Sequence, residues 1–136
     1  MWDLDDENEY LKIHSFNLKE AFTYADMRPG QTDKEKRERI RFAANHNFPI
    51  SIPKVEWWAF RIFVRKVGNR QFDIENVPKL IVDAFCKNQI FQDGSAHTNV
   101  GLYDDDTIDF VRILQVGGER YLEDSTKVEI FRKKPK

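Results

Sequence analysis

The sequence predicts a single α+β domain in which strands and helices share one core. Three observations carry that expectation. Within residues 55–67 the even positions Trp58, Phe60, Ile62 and Val64 are all apolar, the period of a strand with one buried face. Val77, Leu80, Ile81, Ala84 and Phe85 recur at helical spacing and mark a helix with one buried stripe. Ile108 to Val116 and Thr126 to Arg132 read as two further strands. A chain of 136 residues is the size of one domain, and 40% hydrophobic content supplies its core.

The elements follow in order. Residues 1–9 are polar and acidic, which predicts a frayed start. Tyr10 to Phe16 suits a first strand, and Leu18 to Ala25 could equally be a short helix. Pro29-Gly30 breaks the chain. Thr32 with Glu35 fits a capping box, opening a helix to about Asn45. Its apolar residues are few, so the basic stretch Lys34 to Arg41 is expected to be mostly solvated. Pro49 and Pro53 bracket an extended connector before the long strand, which ends at Gly68-Asn69. Asn76 suits a cap for the next helix, with Pro78 tolerated in its first turn. Residues 92–102 are rich in turn formers and read as a loop, and Gly117-Gly118 reads as a turn.

Composition narrows the function classes. Nothing resembles a disordered or low-complexity chain. The net charge of −1 does not announce a nucleic-acid partner, yet basic charge collects locally at 34–41, 61–70 and 132–136. No apolar stretch is long enough to span a bilayer, and the acidic N-terminus has the wrong sign for a secretory signal. Cys86 is the only cysteine and reads as a small helix residue in a reducing compartment, so the expected location is cytoplasmic.

The chemistry gathers in two acidic segments. Asp73-Ile74-Glu75-Asn76 runs into the apolar helix, and Asp104-Asp105-Asp106 runs toward the strand at Ile108. In extended backbone Asp73 and Glu75 would share a face, and Lys79 follows Glu75 by one helical turn. Hard carboxylate oxygens beside a lysine suit a divalent cation and a phosphate. Spacing does not select among the three aspartates of the second segment. His97 precedes that segment but reads as a solvated loop residue, and Asp83 as an ordinary ion-pair partner of Lys79.

The run from Arg70 to Phe85, followed by Asp104-Asp105-Asp106-Thr107-Ile108, resembles the RusA family of Holliday junction resolvases. That family's hallmark is acidic-x-acidic-Asn-x-x-Lys, followed by an Asp-Asp pair entering a strand. The resemblance covers about residues 55–132. It implies a small mixed sheet with helices packed on it, in a homodimer that cuts four-way DNA junctions with Mg²⁺ or Mn²⁺. It further implies Asp73, Glu75 and Asp105 as metal ligands, Asp104 beside them, Lys79 as the essential lysine and Asn76 as structural support. Arg61, Arg65, Lys66, Arg70, Lys36 and Arg37 are the candidate phosphate contacts. Two departures stand out. Glu75 occupies a position where the family commonly has Asp, and residues 92–102 lengthen the segment before the aspartates. The rival expectations are a metal nuclease on another branched or flap DNA, a non-enzymatic DNA-binding module, and a globular partner protein with no nucleic-acid role.

Overall fold

Among the described residues four strands form one mixed sheet: β1 (Tyr10–Leu18), β2 (Trp58–Lys66), β3 (Val111–Arg120) and β4 (Ser125–Lys133), in the spatial order β1-β4-β2-β3. Among the described residues three α-helices accompany it: α1 (Asp33–Asn45), α2 (Val77–Ala84) and α3 (Lys87–Asp93). The architecture is α+β. The structure is a computed structural model and describes residues 2–24, 32–53 and 55–135. Pro29-Gly30 and the last residue of the basic tail, Lys136, lie outside the described residues.

β4 pairs antiparallel with both β1 and β2, while β3 runs parallel to β2. A parallel pair needs a crossover, and here residues 67–110 supply it, with α2 and α3 inside. Both acidic segments belong to that one crossover.

The alternation in β2 is realised. Trp58, Phe60, Ile62 and Val64 are buried beneath the helices, where Phe60 meets Phe85 and Tyr103. The opposite face is half covered. Residues 2–9 fold back as hydrogen-bonded turns and seat Leu4 in a small cluster with Tyr10, Ala59, Ile113 and Phe131. The expected fraying there is corrected: burial of Leu4 and the Asp5–Arg61 ion pair hold this segment on the sheet. Beyond it, Phe63 remains exposed, while Leu114 and Val116, paired with Phe60 and Ile62, are exposed on the helix side of the outer strand β3.

Several boundaries differ from the sequence expectations. Residues 18–24 form no helix, since β1 runs through Leu18 to pair with Thr126. Thr32 caps α1 as expected, accepting from the Glu35 amide at 3.1 Å. Residues 87–93 form α3, closed by Gly94 in the left-handed region at φ 62°. Cys86 lies at the α2–α3 junction rather than on a helix, bridged to Tyr103. Thr107 to Phe110 form a turn, so β3 begins at Val111 and not at Ile108.

Gly117-Gly118 lie inside β3, and the reversal comes at 121–124. The reason is steric. A Cβ on Gly118 would fall 2.7 Å from Ile74 Cδ1 and 2.8 Å from the Val64 carbonyl oxygen. The glycine is therefore the flat place on the sheet where the turn bearing Asp73 and Glu75 rests.

Candidate active site

The first acidic segment is built on that seat. Asp73 is extended (φ −85°, ψ 96°), and Ile74–Asn76 form a single 3-10 turn leading into α2. Asp73 and Glu75 are both exposed. The shared extended face expected for them is not realised, because the backbone coils at Ile74. Asn76 has helical backbone (φ −87°, ψ −6°) and makes no side-chain capping bond. Its expected capping role is corrected, because a cap needs extended backbone at its own position. Support for the turn comes from outside: Thr23 Oγ1 donates to the Asp73 carbonyl at 3.3 Å, and Ile74 rests against Gly118.

Lys79, in the first turn of α2, ties that helix to the second acidic segment. Its ammonium donates to Asp83 Oδ1 at 2.9 Å and also to Asp106 Oδ2. Partial burial opposes the charge, but the bonds to Asp106 and Asp83 outweigh it and hold the lysine above its ordinary value. The Lys79 bond in turn holds the Asp106 carboxyl below the usual carboxylate range. Lys79 is thus a standing cation across the physiological range. It stabilises negative charge and does not take protons.

The acidic run reaches α2 through Asp106 rather than Asp105. Asp105 Oδ1 accepts from the Asp106 amide, and the Asp104 carbonyl accepts from the Asn88 amide and the Cys86 thiol. The Asp104 and Asp105 side chains are exposed. Tyr103 anchors the run below, its hydroxyl donating to the Val82 carbonyl at 2.6 Å. Among the described residues, no three His, Cys, Asp or Glu side chains are grouped to hold a metal ion. The arrangement does not fit a closed protein cage. It fits a hard cation that takes one or two exposed carboxylates and keeps water and phosphate oxygens for its other positions, the habit of Mg²⁺.

The basic candidates divide sharply. Lys36 and Arg37 are corrected: neither lies on a solvated face. Lys36 is 1% exposed and donates to the Thr23 carbonyl at 2.9 Å. Arg37 grips Asp93 with two nitrogens at 2.7 and 2.9 Å. The physical reason is that the sparse apolar stripe of α1 leaves room for long cations, whose heads find acceptors on other elements. Arg61 pairs with Glu129 and Asp5, Arg65 with Glu119, and Lys66 with Asp124. Arg70 is exposed and shares the β2–α2 connection with Asp73. His97 packs edge-on to Phe42 of α1.

Sequence reasoning missed a buried polar network behind Lys79. Tyr24 donates to Asp83 Oδ2 at 2.5 Å and accepts from Arg37 at 3.1 Å. Arg41, fully buried, donates to Asp93 at 2.9 Å and to the Ala84 carbonyl at 2.7 Å. The available signal was Gly94, whose C-cap would have revealed α3 and placed Asp93 on it. No family model matches this chain, and no curated protein matches it.

Proposed function

We propose that this chain is a divalent-metal-dependent endonuclease of the RusA type, nicking four-way DNA junctions in symmetric pairs. The observation that carries this reading is a permanently charged lysine, one helical turn after Glu75, bonded to Asp106 of the second acidic segment, with Asp73 and Glu75 exposed on the turn that opens the same helix. A pure DNA binder gains nothing from carboxylates facing phosphate, so their accumulation around a cation favours chemistry over binding alone.

Asp73 and Glu75 of the first segment and Asp105 and Asp104 of the second are the candidate side chains, one or two of which would hold Mg²⁺ or Mn²⁺ together with water and phosphate oxygens. Such an ion supplies Lewis-acid polarisation of the phosphoryl group and a water acidic enough to attack at neutral pH. Lys79 contributes a fixed positive charge to the phosphate as negative charge builds on it. Arg70 stands nearest in sequence to these carboxylates and is the first phosphate contact on the DNA path. Arg61, Arg65 and Lys66 must exchange their carboxylate partners for phosphate to join it. Exposed Phe63 on the face away from the helices, with exposed Leu114 and Val116 on the neighbouring edge strand, supports a second copy docking at this edge of the sheet.

The test is cleavage of a synthetic four-way junction by wild type and Asp73→Asn, with Mg²⁺ or Mn²⁺ and with chelator. Metal-dependent cutting by wild type, lost in the variant, is expected. Retained cutting by Asp73→Asn would remove the central assignment. Salt-sensitive DNA affinity without any cleavage would instead mark a binding module. Flap and linear duplex substrates separate a junction resolvase from other metal nucleases.

A further inference from the structure

Resting on the nuclease reading for its catalytic consequence, we propose that Asp83 is the positioning residue of this site. Tyr24, braced by Arg37, clamps Asp83 so that Lys79 carries its ammonium to the acidic run.

A lysine and an aspartate four apart on a helix usually form a loose surface pair. This pair is different. The Asp83 side chain is only 12% exposed, whereas that of Lys79 is 57% exposed. Both Asp83 oxygens are committed, Oδ1 to Lys79 and Oδ2 to the Tyr24 hydroxyl. Turning the carboxylate would break the phenol bond inside the protein, where an unpaired polar group is costly. Lysine N-terminal to the acid is also the weaker order for stabilising a helix. Helix stability alone therefore gives little reason for the pair.

The clamp continues inward. The Tyr24 oxygen accepts from Arg37, and the remaining nitrogens of Arg37 hold both oxygens of Asp93. Arg41 shares Asp93 and also ties to the end of α2 through the Ala84 carbonyl. The helix carrying Lys79 and the carboxylate aiming it are thus fixed to one buried network spanning α1, α2 and α3. Second contacts of this kind hold a reactive group in register when its own side chain is long and mobile.

The decisive variants are Tyr24→Phe, which removes one hydroxyl, and Asp83→Asn, which keeps shape and removes charge. Two readouts go beyond a structural role. The first is the split between kcat and KM for junction cleavage. The second is the ¹⁵N NMR signal of the Lys79 ammonium, assigned with Lys79→Arg and observed without DNA or metal. For each variant kcat should fall about 10- to 100-fold, the loss expected of a reactive group displaced by about 1 Å. KM should stay within about twofold, because DNA contacts are untouched. The protected Lys79 signal of wild type should broaden into exchange with water, and Asp83→Glu should restore part of it. Unchanged kcat together with an unchanged signal in both variants overturns the proposal, as does a wild-type signal already lost to exchange. Where Tyr24→Phe does not fold, Asp83→Asn and Asp83→Glu decide. A wild type that cuts no DNA defeats the nuclease reading alone, and the ammonium signal still decides whether Asp83 and Tyr24 hold Lys79.

Discussion

Asp93→Asn tests the buried network most directly. Asp93 is 7% exposed and faces two guanidinium groups, Arg37 at 2.7 and 2.9 Å and Arg41 at 2.9 Å. Burial alone would raise its carboxyl, but the bonds from Arg37, Arg41 and Gln89 prevail and bring it from 3.8 down to about 2. A drop of that size corresponds to about 2 kcal/mol. Asparagine keeps one acceptor but turns an NH₂ toward the guanidinium donors, removes the Asp93 charge from Arg37, and leaves Arg41 with Glu38. Breaking a buried pair this way costs about 3–5 kcal/mol, so the total loss should lie between about 2 and 5 kcal/mol. Urea unfolding at pH 7, followed by circular dichroism, measures it. The pH dependence has a definite sign. The folded carboxyl lies below its unfolded value, so its contribution is whole above pH 3.8 and drains away as pH falls toward about 2. The gap between wild type and variant should therefore narrow in acid. A loss under about 1 kcal/mol at pH 7, the range of an exposed pair, or a gap that widens in acid, would refute the reasoning.

Other outcomes follow from the same geometry. Gly118→Ala should destabilise the fold by about 1–3 kcal/mol and lower junction cleavage by disturbing the turn of Asp73 and Glu75, both read from paired unfolding and cleavage assays. Phe60→Ala, at a position with no exposure, should cost about 3–5 kcal/mol in denaturant unfolding. Thr32→Ala should cost about 1 kcal/mol by loss of the α1 cap, with cleavage unchanged. Asp105→Asn and Asp106→Asn should differ: the first should weaken Mn²⁺ binding seen by electron paramagnetic resonance, the second should chiefly free the Lys79 ammonium seen by NMR.

What the sequence made legible was whatever a single face imposes. β2 and α2 each press one side against the core, so Trp58 to Val64 and Val77 to Phe85 carry their periods openly. α3 stayed hidden because it has little such face: Ile90 is buried, but Phe91 is 85% exposed. What holds α3 is Asp93 bound by two arginines from α1, a contact between segments more than 50 positions apart. The same long-range pairing inverted the expectation for α1, whose Lys36, Arg37 and Arg41 look like a solvated basic face only while their acceptors are unknown. Gly117-Gly118 misled for the opposite reason. Local propensity favoured a turn, and the close approach of Ile74 and Val64 overrode it. In the candidate site, the lysine and both acidic segments were legible. That Asp106 is the aspartate meeting Lys79 was not, because three adjacent identical residues carry no positional signal.

β3 is an edge strand, paired only with β2 among the described residues, and it closes the loop of chain that bears every carboxylate of the proposed site. The loop's anchoring strands, β2 and β3, stand about 4.8 Å apart, so peeling β3 away would let the loop's ends drift and scatter the side chains at its middle. The catalytic apparatus would then be lost before the rest of the domain melts. Hydrogen exchange at Val111 to Arg120 should report that early failure, well ahead of exchange in the central pair β2 and β4.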